Sequence, residues 1–376
     1  VSLQAHGEWP VLGAMAAIGA VVITPLALIV AFRFRTSKRL RSTLRALATV
    51  VFAFPLALVI GSVYNGSSVA IYSIAVAAGC TAYALALGAL ARWLRLGTDT
   101  DLIPALPGLL ALTTVATLVL DTLIGGHLAS YSLIGTFQLR GLRFYGIGNE
   151  CMGVLIGNTL IVGLWFRQRL PSGCLELRHR YMFALGLALV TLVIGLPCLG
   201  ANVGGAITSV VAFGLFYKAI TGNRISVMDI ILMLGLSAML VGTLALFDML
   251  SRAGRESHAG LTAKLVSEDG WSYLWTLISR KVGMNFQLIG TRQGETALLG
   301  FTPFFMLWFA GVQKRLSARL EGKPEIGNGL MAVAIGAAAA FVFNDSGVVA
   351  ASLLLCAPVV TILYSLIGDE PAFEHK

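Results

Sequence analysis

Charge is scarce in this chain. Asp, Glu, Lys and Arg together make up 12% of its 376 residues, where a soluble globular protein carries about 25%. So few charged side chains cannot wet a water-soluble body of this length. A hydrophobic content of 57% likewise excludes an unfolded, solvated chain. Cysteine is also sparse: the 5 cysteines are scattered, mostly within apolar stretches. They form no CxxC pair and no zinc-like spacing, so no disulfide framework is implied. No HExxH segment occurs, and no Lys-Ser/Thr pair follows a glycine-rich turn, so neither a metal site nor a nucleotide-binding loop is expected. No classical cleaved signal peptide is expected either.

What is present is a succession of apolar runs. A helix needs about 20 mostly apolar residues to cross a bilayer, with its backbone hydrogen bonds satisfied internally. Candidate spans are Val11–Phe32, Ala46–Tyr64, Val69–Ala91, Leu102–Ile124, Gly148–Phe166, Tyr181–Pro197, Val203–Tyr217, Val227–Leu250, Thr296–Val312, Ile326–Phe343 and Val348–Ile367. The expectation is an all-α, polytopic integral membrane protein, a single domain over residues 1–376 with about eleven spans, ten to twelve at the bounds. The pair Tyr181–Pro197 and Val203–Tyr217 is short and separated only by Cys198-Leu-Gly-Ala-Asn-Val, which leaves one interrupted hairpin as an alternative.

Lys and Arg orient the spans, because they are retained on the cytoplasmic side. None precedes the first span, whereas Arg33, Arg35, Lys38, Arg39, Arg41 and Arg45 follow it directly. The amino terminus is therefore expected outside and the carboxyl terminus inside. Alternation then places Arg92, Arg95, Arg167, Arg169, Arg178, Arg180, Lys218, Arg224, Lys314, Arg315, Arg319 and Lys323 in cytoplasmic loops. This topology accounts for most of the formal net charge of +9 without nucleic acid as a partner. An external amino terminus starting at Val1 also leaves room for a further extracytoplasmic domain or partner.

The basic residues that break the rule are grouped. Arg140 and Arg143 precede the fifth span; Arg252, Arg255, Lys264, Arg280, Lys281 and Arg292 fall between the eighth and ninth. Long external loops tolerate positive charge, and an anion-binding role explains the grouping equally directly.

Polar groups at membrane depth are costly and tend to face cavities, pair or do chemistry. Four such clusters map to the expected extracytoplasmic half. The first, Arg140-Gly-Leu-Arg143-Phe-Tyr-Gly-Ile-Gly-Asn149-Glu150, carries Asn149 and Glu150 to a helix start, where either could cap it; the backbone N–H groups there and Arg143 would favour an anion, or Arg143 and Glu150 would simply neutralise each other. The second, Gly200-Ala-Asn202-Val-Gly204-Gly205, reads as close helix packing or as an unwound, ligand-lining turn. The third is the long segment 251–295, in which Trp271, Trp275 and basic residues fit interfacial helices. It offers His258 as an acid–base group near neutral pH. Arg255, Arg280, Lys281 and Asn285 are its candidate phosphate contacts or headgroup anchors. The fourth is the turn Asn344-Asp345-Ser346-Gly347, which would put Asp345 and Asn344 on the same face; a tight turn alone also explains it. Asp121 and His127 lie close to that face.

The order of these features resembles bacterial polytopic enzymes of the O-antigen ligase and polymerase type over roughly Arg140 to Gly300. The resemblance implies a polyprenyl-phosphate-linked glycan substrate, with arginines on the pyrophosphate and a histidine near the acceptor. By position, Arg143, Arg255, His258 and Arg280 are the counterparts. The chain departs from that pattern in its external amino terminus, and in carrying Gly200-Ala-Asn-Val-Gly-Gly where a Ser-Arg pair is usual. Arg143-Phe-Tyr-Gly-Ile-Gly-Asn149 and Asn344-Asp-Ser-Gly347 also resemble an uncharacterised group of bacterial membrane proteins, a likeness that implies no activity.

The expected function is thus an enzyme of the bacterial cytoplasmic membrane. It would act at the extracytoplasmic face on a lipid-linked, phosphate-bearing envelope substrate, with His258, Glu150 and Asp345 in acid–base or orienting roles. Asn149, Asn202, Asn285 and Asn344 would join Arg140, Arg143, Arg255, Arg280 and Lys281 in binding, with membrane lipids as partners and no cofactor. A secondary transporter or lipid flippase is the rival from another class, and a membrane module of a larger envelope protein the third reading.

Overall fold

The computed structural model describes residues 37–64, 68–96, 101–132, 146–171, 175–251, 283–289 and 305–367, with short pieces at 28–29, 134, 276 and 279–280. Among the described residues every regular element is helical: α1 (Lys38–Ile60), α2 (Val69–Trp93), α3 (Ala105–Leu123), the short α4 (His127–Tyr131), α5 (Asn149–Arg167), α6 (Leu177–Gly195), α7 (Val203–Ile220), α8 (Val227–Ser251), the short α9 (Gln313–Arg319), α10 (Pro324–Phe343) and α11 (Gly347–Ile367). Nine of the described helices are long and apolar enough to cross a membrane. The chain is a multi-pass membrane protein, all-helical in its regular elements among the described residues. The expected first span lies outside the described residues except at 28–29, and the expected span Thr296–Val312 is described only from residue 305. The alternative of one interrupted hairpin is resolved into two full helices, α6 and α7.

Local chemistry starts these helices where the sequence changes character. Ser37 accepts a hydrogen bond from the Leu40 amide at 3.2 Å and Ser68 one from the Ile71 amide at 3.3 Å, satisfying amides that the first turns of α1 and α2 leave open. Proline opens α10, where its missing N–H costs nothing. Inside the spans, the hydroxyls of Thr114, Thr122 and Thr159 each donate at 2.7 Å to the carbonyl four residues back. An apolar surround leaves them no better acceptor.

Helix α5 is the axis of the bundle: most of it is buried, whereas most of the outer helix α8 is not. It packs on α3, α7 and α11, while α10 lies across α7 and α11. The approach of α5 to α11 is backbone to backbone. A Cβ added at Gly153 would lie 2.4 Å from the Ala350 carbonyl oxygen, and one at Gly157 would lie 2.2 Å from that of Leu354. Small residues permit such contact, and dispersion rather than hydrophobic expulsion holds it in a bilayer. The outer faces of α2, α6 and α8 expose Ile74, Leu85, Met182, Leu185, Ile231 and Met239, as surfaces fitted to acyl chains do.

The long helices alternate in direction. Helices α5, α7 and α11 start at one end of the bundle, where α6 and α10 finish. The two ends differ in chemistry, and the first of them collects Asn149, Glu150, Asn202, Asn285 and Asn344 from the sequence clusters.

Candidate functional site

The amino end of α5 is fixed by the turn that joins α6 to α7. Gly146 adopts φ +93°, and a Cβ there would lie 2.4 Å from the Gly200 carbonyl oxygen. Both backbone groups of the next residue are taken by that turn. The Ile147 amide donates to the Gly200 carbonyl at 2.8 Å, and its carbonyl accepts from Asn202 Nδ2 at 3.0 Å. The turn itself is closed by the Gly200 and Asn202 amides donating to the Val193 and Ile194 carbonyls at 2.9 and 3.0 Å. Two clusters that are separate in sequence thus form one backbone unit.

Asn202 then caps α7, its Oδ1 accepting from the Gly205 amide at 2.7 Å. Its Nδ2 also donates to Asn149 Oδ1 at 3.0 Å, and Asn149 Nδ2 donates to Ser346 Oγ at 3.1 Å. Ser346 Oγ in turn donates to Glu150 Oε1 at 3.3 Å. The third cluster to arrive is therefore the turn between α10 and α11. Asn344, 1% exposed, holds that turn by donating to Ala340 O at 2.9 Å and to Thr208 Oγ1 of α7 at 3.2 Å.

Asn285 enters from the long segment after α8. It is 1% exposed and donates to the carbonyls of Phe341 and Asn344 at 2.9 and 3.1 Å. These carbonyls end α10, so an amide from a distant segment closes that helix terminus.

Of the sequence-predicted residues, Asn149, Glu150, Asn202, Asn285 and Asn344 are brought together. Asp345 sits exposed at the tip of the turn beside them, and Arg280 is exposed on a helical piece. Arg140, Arg143, Arg255, His258 and Lys281 lie outside the described residues. Asp121, 2% exposed, is engaged structurally: its two carboxylate oxygens accept from the amides of Leu128 and Ala129 at 2.8 Å each and so cap α4. Cys151, the next residue of α5, is buried, with its Sγ 3.9 Å from the Ile134 carbonyl oxygen.

Comparison with known protein families, curated proteins and solved structures finds no match to this chain. The chemistry must be read from the site alone.

Four features matter for that chemistry. The amino ends of α5, α7 and α11 meet here, and helix amino ends carry partial positive charge that favours an anion. Glu150 Oε2 is buried and has no hydrogen-bond partner among the described residues. Most amide donors are already engaged by the protein, so the asparagines hold the site's shape. Among the described residues no three His, Cys, Asp or Glu side chains cluster as metal ligands would.

Sequence reasoning named Ser346 within the fourth cluster without giving it a role, and passed over Thr208. Ser346 was legible as the polar residue directly ahead of a helix start. Thr208 follows Gly204 by one helical turn, and its hydroxyl donates to the Gly204 carbonyl at 2.8 Å.

Proposed function

We propose that the chain is an enzyme of the bacterial cytoplasmic membrane that acts at the extracytoplasmic face on a lipid-linked, phosphate-bearing envelope substrate, in the manner of a glycan ligase or polymerase. The observation that carries this reading is the convergence of Gly148-Asn149-Glu150, Asn202-Val-Gly204-Gly205 and Asn344-Asp345-Ser346 around a carboxylate oxygen without a hydrogen-bond partner among the described residues. Helix amino ends favour the phosphate, and the carboxylate favours a donor group beside it.

Orientation follows from charge. Arg45, Arg92, Arg167, Lys218 and Arg319 all sit at helix ends opposite the site. With about eleven spans, an external amino terminus and an internal carboxyl terminus, that basic end is cytoplasmic and the site extracytoplasmic.

In the proposed reaction a hydroxyl of the acceptor attacks the anomeric carbon of a glycan carried on polyprenyl pyrophosphate. The new C–O bond forms as the bond to the pyrophosphate oxygen breaks. The hydroxyl proton passes to His258, and Arg140, Arg143, Arg255, Arg280 and Lys281 compensate the charge left on the departing pyrophosphate. Glu150 or Asp345 orients the reacting glycans through their hydroxyl groups.

A secondary transporter remains the rival, and two observations favour the enzyme. The polar groups of the site lie at one end of the bundle, and beneath them α5 and α11 touch backbone to backbone. Alternating access uses sites near the bilayer midplane between elements that rock.

Native mass spectrometry of the detergent-purified protein tests the reading, with Arg143→Ala and Arg280→Ala alongside. A co-purifying polyprenyl-phosphate species lost in both variants is the expected result. Ordinary phospholipid alone, unchanged by either substitution, overturns it.

A further inference from the structure

The hydrogen bonds of the site have a direction that can be deduced without reference to where hydrogens are drawn. The starting point is the Gly205 amide, which can only donate, and which lies 2.7 Å from the side chain of Asn202. The atom facing it must be the oxygen, so the other branch of Asn202 is the NH2 group. This agrees with its second neighbour, the Ile147 carbonyl at 3.0 Å, which can only accept. Two backbone groups of fixed polarity thus settle the amide orientation, which at a side chain is otherwise an assignment.

The consequence propagates. Asn202 Nδ2 faces Asn149 at 3.0 Å, so Asn149 presents its oxygen there and its NH2 to Ser346, 3.1 Å away. Ser346 Oγ accepts that bond, and its single proton is directed to Glu150 Oε1 at 3.3 Å. The chain runs donor to acceptor from the backbone of α7, through α5 and the α10–α11 turn, and ends on a carboxylate.

From this we infer that Asn202, Asn149 and Ser346 form a one-way relay that occupies Glu150 Oε1 and leaves Oε2 as the oxygen offered to a ligand, so that the ligand group seated here is a hydrogen-bond donor, a sugar hydroxyl. The inference rests on the lipid-linked glycan reading for the identity of the donor. Two observations carry it beyond a set of bonds internal to the site. Oε2 is buried and without a partner among the described residues, whereas Oε1 is held. The relay is also anchored at both ends to different helices, so Oε1 is not free to rotate into the place of Oε2 without breaking Ser346 away.

Glu150 is the group that touches the ligand; Asn202, Asn149 and Ser346 are positioning residues that act through it. A carboxylate with one oxygen committed and one free is oriented more narrowly than a solvated one.

Infrared difference spectroscopy of the full chain in lipid nanodiscs tests this without any assay of turnover. Subtracting the spectrum of Glu150→Gln from that of the parent protein isolates the Glu150 carboxyl bands. Ser346→Ala is expected to shift those bands, and Ser346→Thr, which keeps the hydroxyl, to restore them. Asn202→Asp keeps the acceptor for the Gly205 amide and so the cap on α7, but loses the NH2 donor. It is expected to shift the Glu150 bands although it does not touch Glu150. Bands that ignore both Ser346→Ala and Asn202→Asp overturn the relay.

The ligand half uses two probes, a short-chain prenyl phosphate and the same compound carrying one sugar. The sugar-bearing probe is expected to perturb the Glu150 bands and the bare phosphate to leave them in place. If mass spectrometry finds both probes bound and neither moves the bands, Oε2 is not the sugar's acceptor, while the lipid-phosphate reading stands. If neither probe binds, the functional reading itself fails, and the relay is still judged by the Ser346 and Asn202 variants alone.

Discussion

The two ends of the bundle solve the same problem with different chemistry. At the site end, polar groups are amides, hydroxyls and the carboxylates of Asp121, Glu150 and Asp345, with Glu150 and Asp121 held by directional hydrogen bonds, and the ion pairs between described residues lie elsewhere. At the opposite end, cations close the helices. Arg167 is fully buried; it donates to Ile220 O at 2.9 Å and Pro171 O at 3.1 Å, and pairs with Glu325 at 3.4 Å. Lys218 pairs with Asp229 at 2.5 Å, and Arg319 donates to Ser365 O at 3.0 Å. Each cation meets a helix carboxyl end and Glu325 meets an amino end, as the helix dipoles favour. The difference teaches where adaptability resides. A charge-paired floor is specified by its own partners, whereas the amide end stops on an atom whose partner is not in the described protein.

That contrast is broken most forcefully at Arg167. Replacing it with Met leaves Glu325, 5% exposed, as a buried carboxylate without its cation. A loss of about 3–5 kcal/mol is expected, read as reduced resistance to denaturant in detergent. Adding Glu325→Gln to Arg167→Met recovers most of it. A double variant no more stable than the single would mean that the pair does not bear on stability.

The next largest effect lies between the two ends. Gly157→Val places a side chain where a Cβ alone would be 2.2 Å from the Leu354 carbonyl oxygen. About 1–3 kcal/mol is lost through overpacking of α5 on α11. Loss of stability with intact lipid binding is expected, because the site is built above this contact.

A smaller effect separates the two roles of Asn202. Asn202→Ala removes the cap on α7 and the bonds to Ile147 and Asn149, costing about 1–2 kcal/mol, while Asn202→Asp keeps the cap and costs less. Equal losses in thermal unfolding would show that the latch to Ile147, rather than the cap, supports the turn.

Much of this was legible in the sequence, for reasons that differ by residue. The spans followed from hydropathy, and Asn149, Glu150, Asn202 and Asn344 stood out because polar side chains are expensive in apolar runs. Their convergence was not legible. Ser346 follows Asn149 by almost 200 residues in sequence, and the bond between them depends on how α11 lies against α5. The glycines that permit this, Gly153 and Gly157, look like any other glycines in a span. Asn285 read as a ligand contact because a lone polar residue does not reveal that a distant helix end needs it. Arg167 read as one more loop cation, since its burial depends on α7 and α10 arriving beside it. The split of α6 from α7 was ambiguous for the opposite reason: the turn between them is itself short and largely apolar.

The smallest expected change in stability is the most informative about the comparison. Glu150→Gln keeps the shape of the side chain and an oxygen for the Ser346 hydroxyl at the Oε1 position, 3.3 Å away. It removes charge from Oε2, a buried atom without a hydrogen-bond partner among the described residues. Stability should then stay within about 0.5 kcal/mol of the parent or rise, because desolvating an uncompensated charge is unfavourable and function, not folding, retains it. The same substitution at Glu325 removes half of an ion pair and should destabilise. Measured side by side in one detergent, the two glutamines distinguish an offered carboxylate from a structural one. If Glu150→Gln destabilises as strongly as Glu325→Gln, then Glu150 also has a cation, and Arg143 in the segment leading to α5 is the residue to replace next. Oε2 would in that case be taken by the protein, and the acceptor for the substrate would have to be sought at Asp345.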